Sequence, residues 1–255
     1  LRVTGMFRFN RPGFIIRRCI VLAVLGFACA HSWAVEDYQT QRERLVAQIA
    51  RDVIETRGYH GKRALDERVM QVMGSLGRHR FVPPGQQSQA YANRPLPIGY
   101  GQTISQPYIV ALMTDMLKPE AGDTALEIGT GSGYQAAVLS RLVEQVYTIE
   151  IIPELAESGA RRLARLGFDN VEVKNADGYH GWAEYAPFDC IIVTAAISHI
   201  PPPLVRQLKP GGVLVIPVGP AFQVQQLTLV EKSLEGEIST RQVLPVRFVP
   251  FTGKR

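Results

Sequence analysis

The chain has 255 residues, of which 46% are hydrophobic and 20% charged, which is ample for a packed core and excludes an intrinsically disordered polypeptide. It carries 28 Lys and Arg against 23 Asp and Glu, a net charge of +5, but Arg2, Arg8, Arg11, Arg17 and Arg18 all fall in the first 34 residues, which hold no acid. Taking those five from 28 leaves 23 bases against 23 acids, so the body is neutral and its charge gives no argument for nucleic-acid binding.

Arg17-Arg18 precede an apolar run, Cys19 to Ala30, with small residues at Ala28, Ala30, Ser32 and Ala34. This is the layout of a secretory signal, and it is shorter than the ~20 apolar residues of a membrane span. Residues 1–34 are therefore expected to be a signal-like leader or an upstream extension. Cys19 and Cys29 lie inside it, which leaves Cys190 in an apolar run as a small core residue. There is no C-x-x-C and no His/Cys cluster of metal-ligand spacing, so no metal is expected.

Residues 36–57 are predicted to form an amphipathic helix with Leu45, Ile49 and Val53 on one face, and residues 64–76 a second with Leu65, Val69, Val72 and Leu76. Together they are expected to form an N-terminal helical lid. The stretch 82–107 is rich in Pro and Gly and is read as a long functional loop. Residues 107–117 return to helix. Strand Ala125–Ile128, helix 134–142, strand Gln145–Glu150, helix 153–166 and strand Val171–Asn175 follow. A continuous apolar strand, Phe188–Ala196, is expected at the centre of a sheet. A short helix opened by Pro201 to Pro203, strand Val213–Val218, and an antiparallel pair, 225–230 with 242–249, complete the chain.

The chemistry concentrates at three strand ends. The first strand runs through Glu127 into Gly129-Thr130-Gly131-Ser132-Gly133, and a helix follows at once. Glycine at 129, 131 and 133 permits positive φ and close approach of a ligand, and a helix start favours an electron-rich group. A tight turn in any α/β protein is the plainer reading. Glu150, 17 residues past Gly133, ends the second strand, near the spacing at which an acid accepts both ribose hydroxyls. Asp177-Gly178 follow the third strand, where an Asp can accept from the exocyclic amine of adenine. Together they describe an adenosine cradle at the carboxyl edge of a parallel sheet.

These residues resemble the sites of class I S-adenosylmethionine-dependent methyltransferases. The block Leu96-Pro97-Ile98-Gly99-Tyr100-Gly101-Gln102-Thr103-Ile104-Ser105-Gln106-Pro107-Tyr108 narrows the resemblance to protein-L-isoaspartate O-methyltransferases. Arg80 to Pro83, Phe188 to Ala196 and Leu208 to Gly212 are similar to the same family, and the likeness spans about residues 40–252. It implies an α/β, Rossmann-like class I methyltransferase fold: a mostly parallel seven-stranded twisted sheet with helices on both faces. It divides the body, 35–255, into a helical substrate segment (35–117), a cofactor core (118–220) and C-terminal antiparallel strands (221–255). Ala176 and Asn93 depart from the family's usual residues.

The implied cofactor is S-adenosylmethionine, held by Glu127, Gly129, Gly131, Gly133, Glu150, Asp177 and Gly178. The implied substrates are isoaspartyl residues of damaged proteins, methylated on the free α-carboxyl and returned through a succinimide to aspartate. Such a carboxyl has a pKa of about 3.3–3.7 and is already a nucleophile at neutral pH. The scattered His79, His180 and His199 are not needed as bases. Ser105, which also stands where it could cap the following helix, is expected to position the acceptor, with Gln102 and Thr103 shaping the same wall. The segment Phe248 to Thr252 resembles the family's return strand beside the donor. The expected partners are isoaspartyl proteins and peptides, with no nucleic acid, no stable membrane association of the mature chain, and a monomeric state. Cofactor supply favours the cytoplasm, and the signal-like leader favours export to the periplasm. A methyltransferase acting on another carboxylate or nitrogen acceptor, and a catalytically silent nucleotide-binding protein, are the competing readings.

Overall fold

A computed structural model describes residues 1, 2, 5 and 38–253. The signal-like segment and the first residues of the predicted 36–57 helix lie outside the described residues. The chain divides into two units, Leu1–Gln41 and Arg42–Arg255. Of the first unit, residues 38–41 are helical. The second opens on helix α1 (42–55), which buries Leu45, Ile49 and Val53, the face expected from their spacing. One short turn, α2 (Arg57–His60), ends at Gly61.

Helix α3 (Glu67–Ser75) is shorter than the periodicity suggests. The Asp66 carboxylate accepts from the Arg68 N–H at 2.8 Å and sets the start, and the extended backbone at Leu76 ends it. Met73, not Leu76, completes the buried face with Val69 and Val72.

The stretch 82–107 is not a plain loop. A 3₁₀ turn over Pro84–Gln89 leads to a hairpin of β1 (Leu96–Gly99) and β2 (Gln102–Ile104), paired antiparallel with Leu96 opposite Ile104, both buried. Strands of three and four residues carrying Pro97 leave no alternation long enough to read. The fully buried Arg78 ties this segment to the core. Its Nε donates to the Ala90 carbonyl at 2.9 Å, and its guanidinium lies 5.0 Å from the Tyr134 ring centroid. Burial lowers its pKa to about 10.

Helix α4 (Pro107–Met116) has Gln106 at its N-cap with no side-chain cap. Ser105 therefore does not cap it. Asn93 does: its Oδ1 accepts from the Tyr108 N–H at 3.0 Å and its Nδ2 donates to the Asp52 carboxylate. One amide thus links α1, the long segment and α4, a role that neither charge nor periodicity signals.

The sheet comprises β3 (Thr124–Ile128), β4 (Gln145–Glu150), β5 (Val171–Asn175), β6 (Phe188–Val193), β7 (Leu208–Val218), β8 (Gln225–Lys232) and β9 (Ile238–Val246). Helices α5 (Tyr134–Leu139), α6 (Pro153–Arg165) and α7 (Pro202–Gln207) intervene. The strand order is β5-β4-β3-β6-β7-β8-β9, with β5 to β7 parallel and β8 and β9 antiparallel. The expected seven-stranded, mostly parallel sheet is present. The two edges that sequence placed worst have physical causes. β7 begins at Leu208 because the sheet absorbs Pro210-Gly211-Gly212 as an irregularity opposite Phe188 and Cys190. β9 begins at Ile238 because its first residues are exposed on the sheet edge, where polar Ser239, Thr240 and Arg241 pair by backbone alone.

The central strands are covered on both faces. Leu126, Ile191, Val193 and Leu214 are among the most deeply buried residues. The chain steps outward from β3 to β4 to β5 and then returns to β6 on the other side of β3. This reversal opens a crevice beyond the carboxyl ends of β3 and β6.

Asn93→Ala should remove the α4 cap and cost about 0.5–2 kcal/mol, a fall in melting temperature of roughly 2–4 °C per kcal/mol for a chain of this size. Ser105→Ala, which loses no cap, should melt with the wild type. Differential scanning calorimetry of both variants checks the assignment.

Candidate functional site

The loop after β3 is held from three directions. The Gly129 and Thr130 N–H groups donate to the Ile149 carbonyl at 2.8 and 3.3 Å. The Thr194 hydroxyl donates to the carbonyls of Ile128 and Gly129 at 3.0 and 2.9 Å. Arg162 of α6 donates to the Ser132 carbonyl at 2.8 Å. Gly129 has φ 103°, and a Cβ there would overlap the Thr194 hydroxyl. At Gly133, φ 82°, a Cβ would press on Leu163 at 3.1 Å. Gly131 faces the hairpin instead: a Cβ there would stand 3.3 Å from Ile98. Helix α5, which follows, has only six residues, and Ser132 Oγ already accepts from the Tyr134 N–H at 3.3 Å. The loop's own backbone and its neighbours, more than a helix dipole, therefore shape this end of the crevice.

The three strand-end acids are in three different environments. Glu150 is nearly buried; its two oxygens accept from the N–H groups of Gly131 at 2.8 Å and Ile152 at 3.0 Å, which aims the carboxylate along the crevice. Glu127 is fully buried. Thr148 donates to its Oε2 at 2.6 Å and is itself bonded to the Thr130 hydroxyl at 2.7 Å. Its Oε1 has no hydrogen-bond partner among the described residues. Burial raises the Glu127 pKa to about 8; the Thr148 hydrogen bond opposes the rise and the charge of Glu150 adds to it. Asp177 accepts from the Tyr179 N–H at 3.0 Å, and its carboxylate lies against Gly253.

A cleft of about 550 Å³ runs over these strand ends. Gly129, Gly131, Glu150, Gly178, Gln102 and Thr103 line it; Gly133 and Asp177 do not. Residues 249–252 form its far wall. They are held there by hydrogen bonds between Ala196 and the backbone of Val249 and Phe251, both 2.8 Å. A second cleft of about 940 Å³ adjoins it, with Ser105, Thr103, Thr194 and Phe248 among its walls. The two share Thr103, Thr194 and Val249. A smaller cavity of about 320 Å³ brings Glu127, Ser105 and Thr194 together beneath the glycine loop. Ser105 is half-buried, and Gln102 Nε2 donates weakly to its neighbour Tyr100 at 3.4 Å.

Thr194 is the residue that sequence reasoning passed over. It borders all three cavities. The available signal was a hydroxyl at the end of the apolar run from Phe188 to Val193.

The histidines and the cysteine stand apart. The His79 ring is bonded to Tyr91 Oη at 2.7 Å, and burial lowers its pKa. His199 lies beside Tyr179. Burial, reinforced by Asp123 and Asp189, pushes the Cys190 thiol well above its ordinary range, so it is no nucleophile. No carboxylate or imidazole lines the second cleft. The residues present suit an adenosyl cation. The glycine loop is shared by two adjoining spaces, one lined by the Glu150 carboxylate with its free lone pairs and the other by Glu127, whose Oε1 is unpartnered among the described residues.

The family model for protein-L-isoaspartate(D-aspartate) O-methyltransferase matches residues 50–255. A protein-L-isoaspartate O-methyltransferase 2 of Polaromonas sp. is 64% identical over 211 residues, 83% of this chain and 100% of the relative. One from Syntrophobacter fumaroxidans is 58% identical over 236 residues, 92% of this chain and 96% of the relative. A solved protein-L-isoaspartate O-methyltransferase structure superposes with TM-score 0.70 at 28% identity, over 83% of this chain and 66% of that one. A Plasmodium falciparum structure, determined with S-adenosyl-L-homocysteine, has TM-score 0.65 over 84% and 98% of the two chains; at 23% identity it shows the likeness of fold.

The buried Glu127 has a testable consequence for the ligand-free protein. Its folded pKa, about 8, lies above its unfolded value of about 4.3–4.5. Its contribution is therefore fully present below the unfolded value and is lost as pH rises toward 8. Glu127→Gln should flatten that decline, so that the variant gains on the wild type between pH 5 and 8 by the measure of urea unfolding. Parallel curves for the two proteins would rule out a protonated Glu127.

Proposed function

The chain belongs to the protein-L-isoaspartate O-methyltransferase family, and from that premise we propose how its own residues carry the reaction. It is a repair enzyme that methylates the α-carboxyl of L-isoaspartyl residues in damaged proteins. The ester then closes to a succinimide as the neighbouring backbone nitrogen displaces methanol. When bound, S-adenosylmethionine supplies a methyl on a cationic sulfur and departs as a neutral thioether. Glu150, oriented by two backbone N–H groups, accepts the ribose hydroxyls through its remaining lone pairs. Glu127, protonated in the ligand-free protein, gives up its proton when the cation binds and offers its unpartnered oxygen to the cationic end from the smaller cavity, and Gly129, Gly131 and Gly178 let the ligand lie against backbone. Gly133 serves indirectly, by letting α6 pack on the loop. Asp177 orders the Tyr179 turn and packs against Gly253.

The acceptor enters through the adjoining cleft. Its carboxyl, with a pKa of about 3.3–3.7, needs no base, and that cleft contains none. Ser105 donates to the acceptor carboxylate and holds it in line, while Gln102 and Thr103 form the partition between the two clefts. The observation that carries this reading is the shared wall: two clefts, one lined by acid and glycine and one by hydroxyls, meet at Thr103 and Thr194.

We further propose that the chain works as a monomer, without nucleic acid or stable membrane attachment, in the compartment where the donor is made. No helix among the described residues is long and apolar enough to cross a membrane. Sequencing the N-terminus of protein recovered from fractionated cells tests the compartment; a mature end at about residue 35 in an exported fraction overturns it.

Labelled methyl from the donor should reach an isoaspartyl peptide and not its aspartyl twin; equal labelling refutes repair. Ser105→Ala should lower turnover roughly 10- to 100-fold, the worth of one hydrogen bond to a charged group, while S-adenosylhomocysteine binds as before. Glu150→Ala should show the converse, with affinity for S-adenosylhomocysteine reduced roughly 10-fold or more by calorimetry.

A further inference from the structure

The acceptor cleft has one charged side chain in its walls, Arg247; the rest are hydroxyl, amide or apolar. Arg247 follows β9 directly, where the backbone is well held. Val246 pairs with Gln225, and the buried Gln225 accepts from the Phe248 N–H at 2.9 Å while donating to the carbonyls of Pro220 and Gln223. The Arg247 residue itself is exposed, and its guanidinium has no ion pair among the described residues. A long flexible stem on a fixed base thus presents an uncompensated positive charge at the place where an anionic substrate enters.

The sign of the reaction limits what this charge can do. The reacting carboxylate loses its charge as the ester forms. A cation bonded directly to that group would stabilise the ground state more than the transition state and slow transfer. A cation beside it favours catalysis when it holds a different anionic group of the same peptide. In an extended chain consecutive Cα atoms are about 3.8 Å apart, so the side chains flanking the damaged residue fall within an arginine's reach. Val224 and Phe248, also in the cleft wall, give the peptide backbone an apolar surface to lie on.

Resting on the reading of this cleft as the acceptor site, we propose that Arg247 is a specificity-determining residue that binds an acidic side chain adjacent to the isoaspartyl residue. The substrates favoured are damaged acidic segments. The role is in binding, so it acts on KM and leaves kcat in place.

The test is steady-state methylation of two isoaspartyl peptides that differ only in a flanking Glu or Gln. The wild type should show a KM roughly two- to fivefold lower for the Glu peptide, the scale of an exposed ion pair, with equal kcat. The difference should vanish in about 1 M salt, where the Debye length is about 3 Å. Arg247→Gln should abolish it, and Arg247→Lys should retain part of it. Equal KM values for the wild type, a preference that survives in Arg247→Gln, or a loss that falls in kcat would each overturn the proposal. Failure of the underlying reading has a separate signature: the wild type would methylate neither peptide.

Discussion

The arrangement depends on a contact for which there is no spare room. The Thr194 hydroxyl occupies the position that any Cβ on Gly129 would take. Its hydrogen bonds to the carbonyls of Ile128, at the end of β3, and of Gly129, together with the Thr194 N–H to Ile128 at 2.9 Å, lock the end of the returning strand β6 to the strand it flanks. The Ile149 carbonyl takes the Gly129 N–H from the opposite neighbour. The first residue of the loop is thus held by both adjoining strands in a conformation open to glycine and strained for other residues. Because Thr194 is pinned in this way, it can serve as a wall of both clefts at once.

The electrostatics follow the same division. At the carboxyl edge of the sheet, acids stand at three strand ends, each bonded differently. Glu150 is oriented by backbone, Asp177 caps a turn, and Glu127 sits in a chain of threonine hydroxyls with one oxygen unpartnered among the described residues. A buried acceptor left unmatched costs about 1–3 kcal/mol, and burial meets that cost in part by keeping Glu127 protonated in the ligand-free protein. In the cleft proposed for the acceptor the walls are hydroxyl, amide and apolar, with the single charge of Arg247. A nucleophile that arrives already ionised needs positioning rather than a base, and under the proposed reading the hydroxyls of this cleft supply it.

Much of this could be read in the residues. β3, β4 and β6 are runs of five or six residues rich in apolar side chains, and β5 is set off by the helix stop at Gly167 and by Asp177-Gly178, so these strands and the helices between them emerge within a few residues of their true limits. Gly129, Gly131, Glu150 and Gly178 line one cleft, while Glu127 lines the smaller cavity that shares Gly129 and Gly131 with it. What escaped reading was short or non-periodic. The hairpin of β1 and β2 is too brief to alternate, β9 is polar where it is exposed, and Asn93 acts through three-dimensional proximity to Asp52 and Tyr108. Ser105 looked like a helix cap because of its position before Pro107, but Asn93 takes that role from another part of the chain.

Sequence alone determined the fold class, the glycine loop after the first strand of the sheet and the acid that ends the second. Each of these depends on local backbone needs: a strand that must be apolar, a turn that must tolerate positive φ, a strand end that must carry a carboxylate. Tertiary structure decided which of those groups face one another. Only the packed chain buries Glu127 deeply enough to hold its proton, sets the Asp177 carboxylate against Gly253, places Thr194 between the two clefts and leaves Arg247 without an ion pair among the described residues. Burial and proximity across distant segments depend on how strands stack and where the chain reverses, and no window of neighbouring residues contains that information.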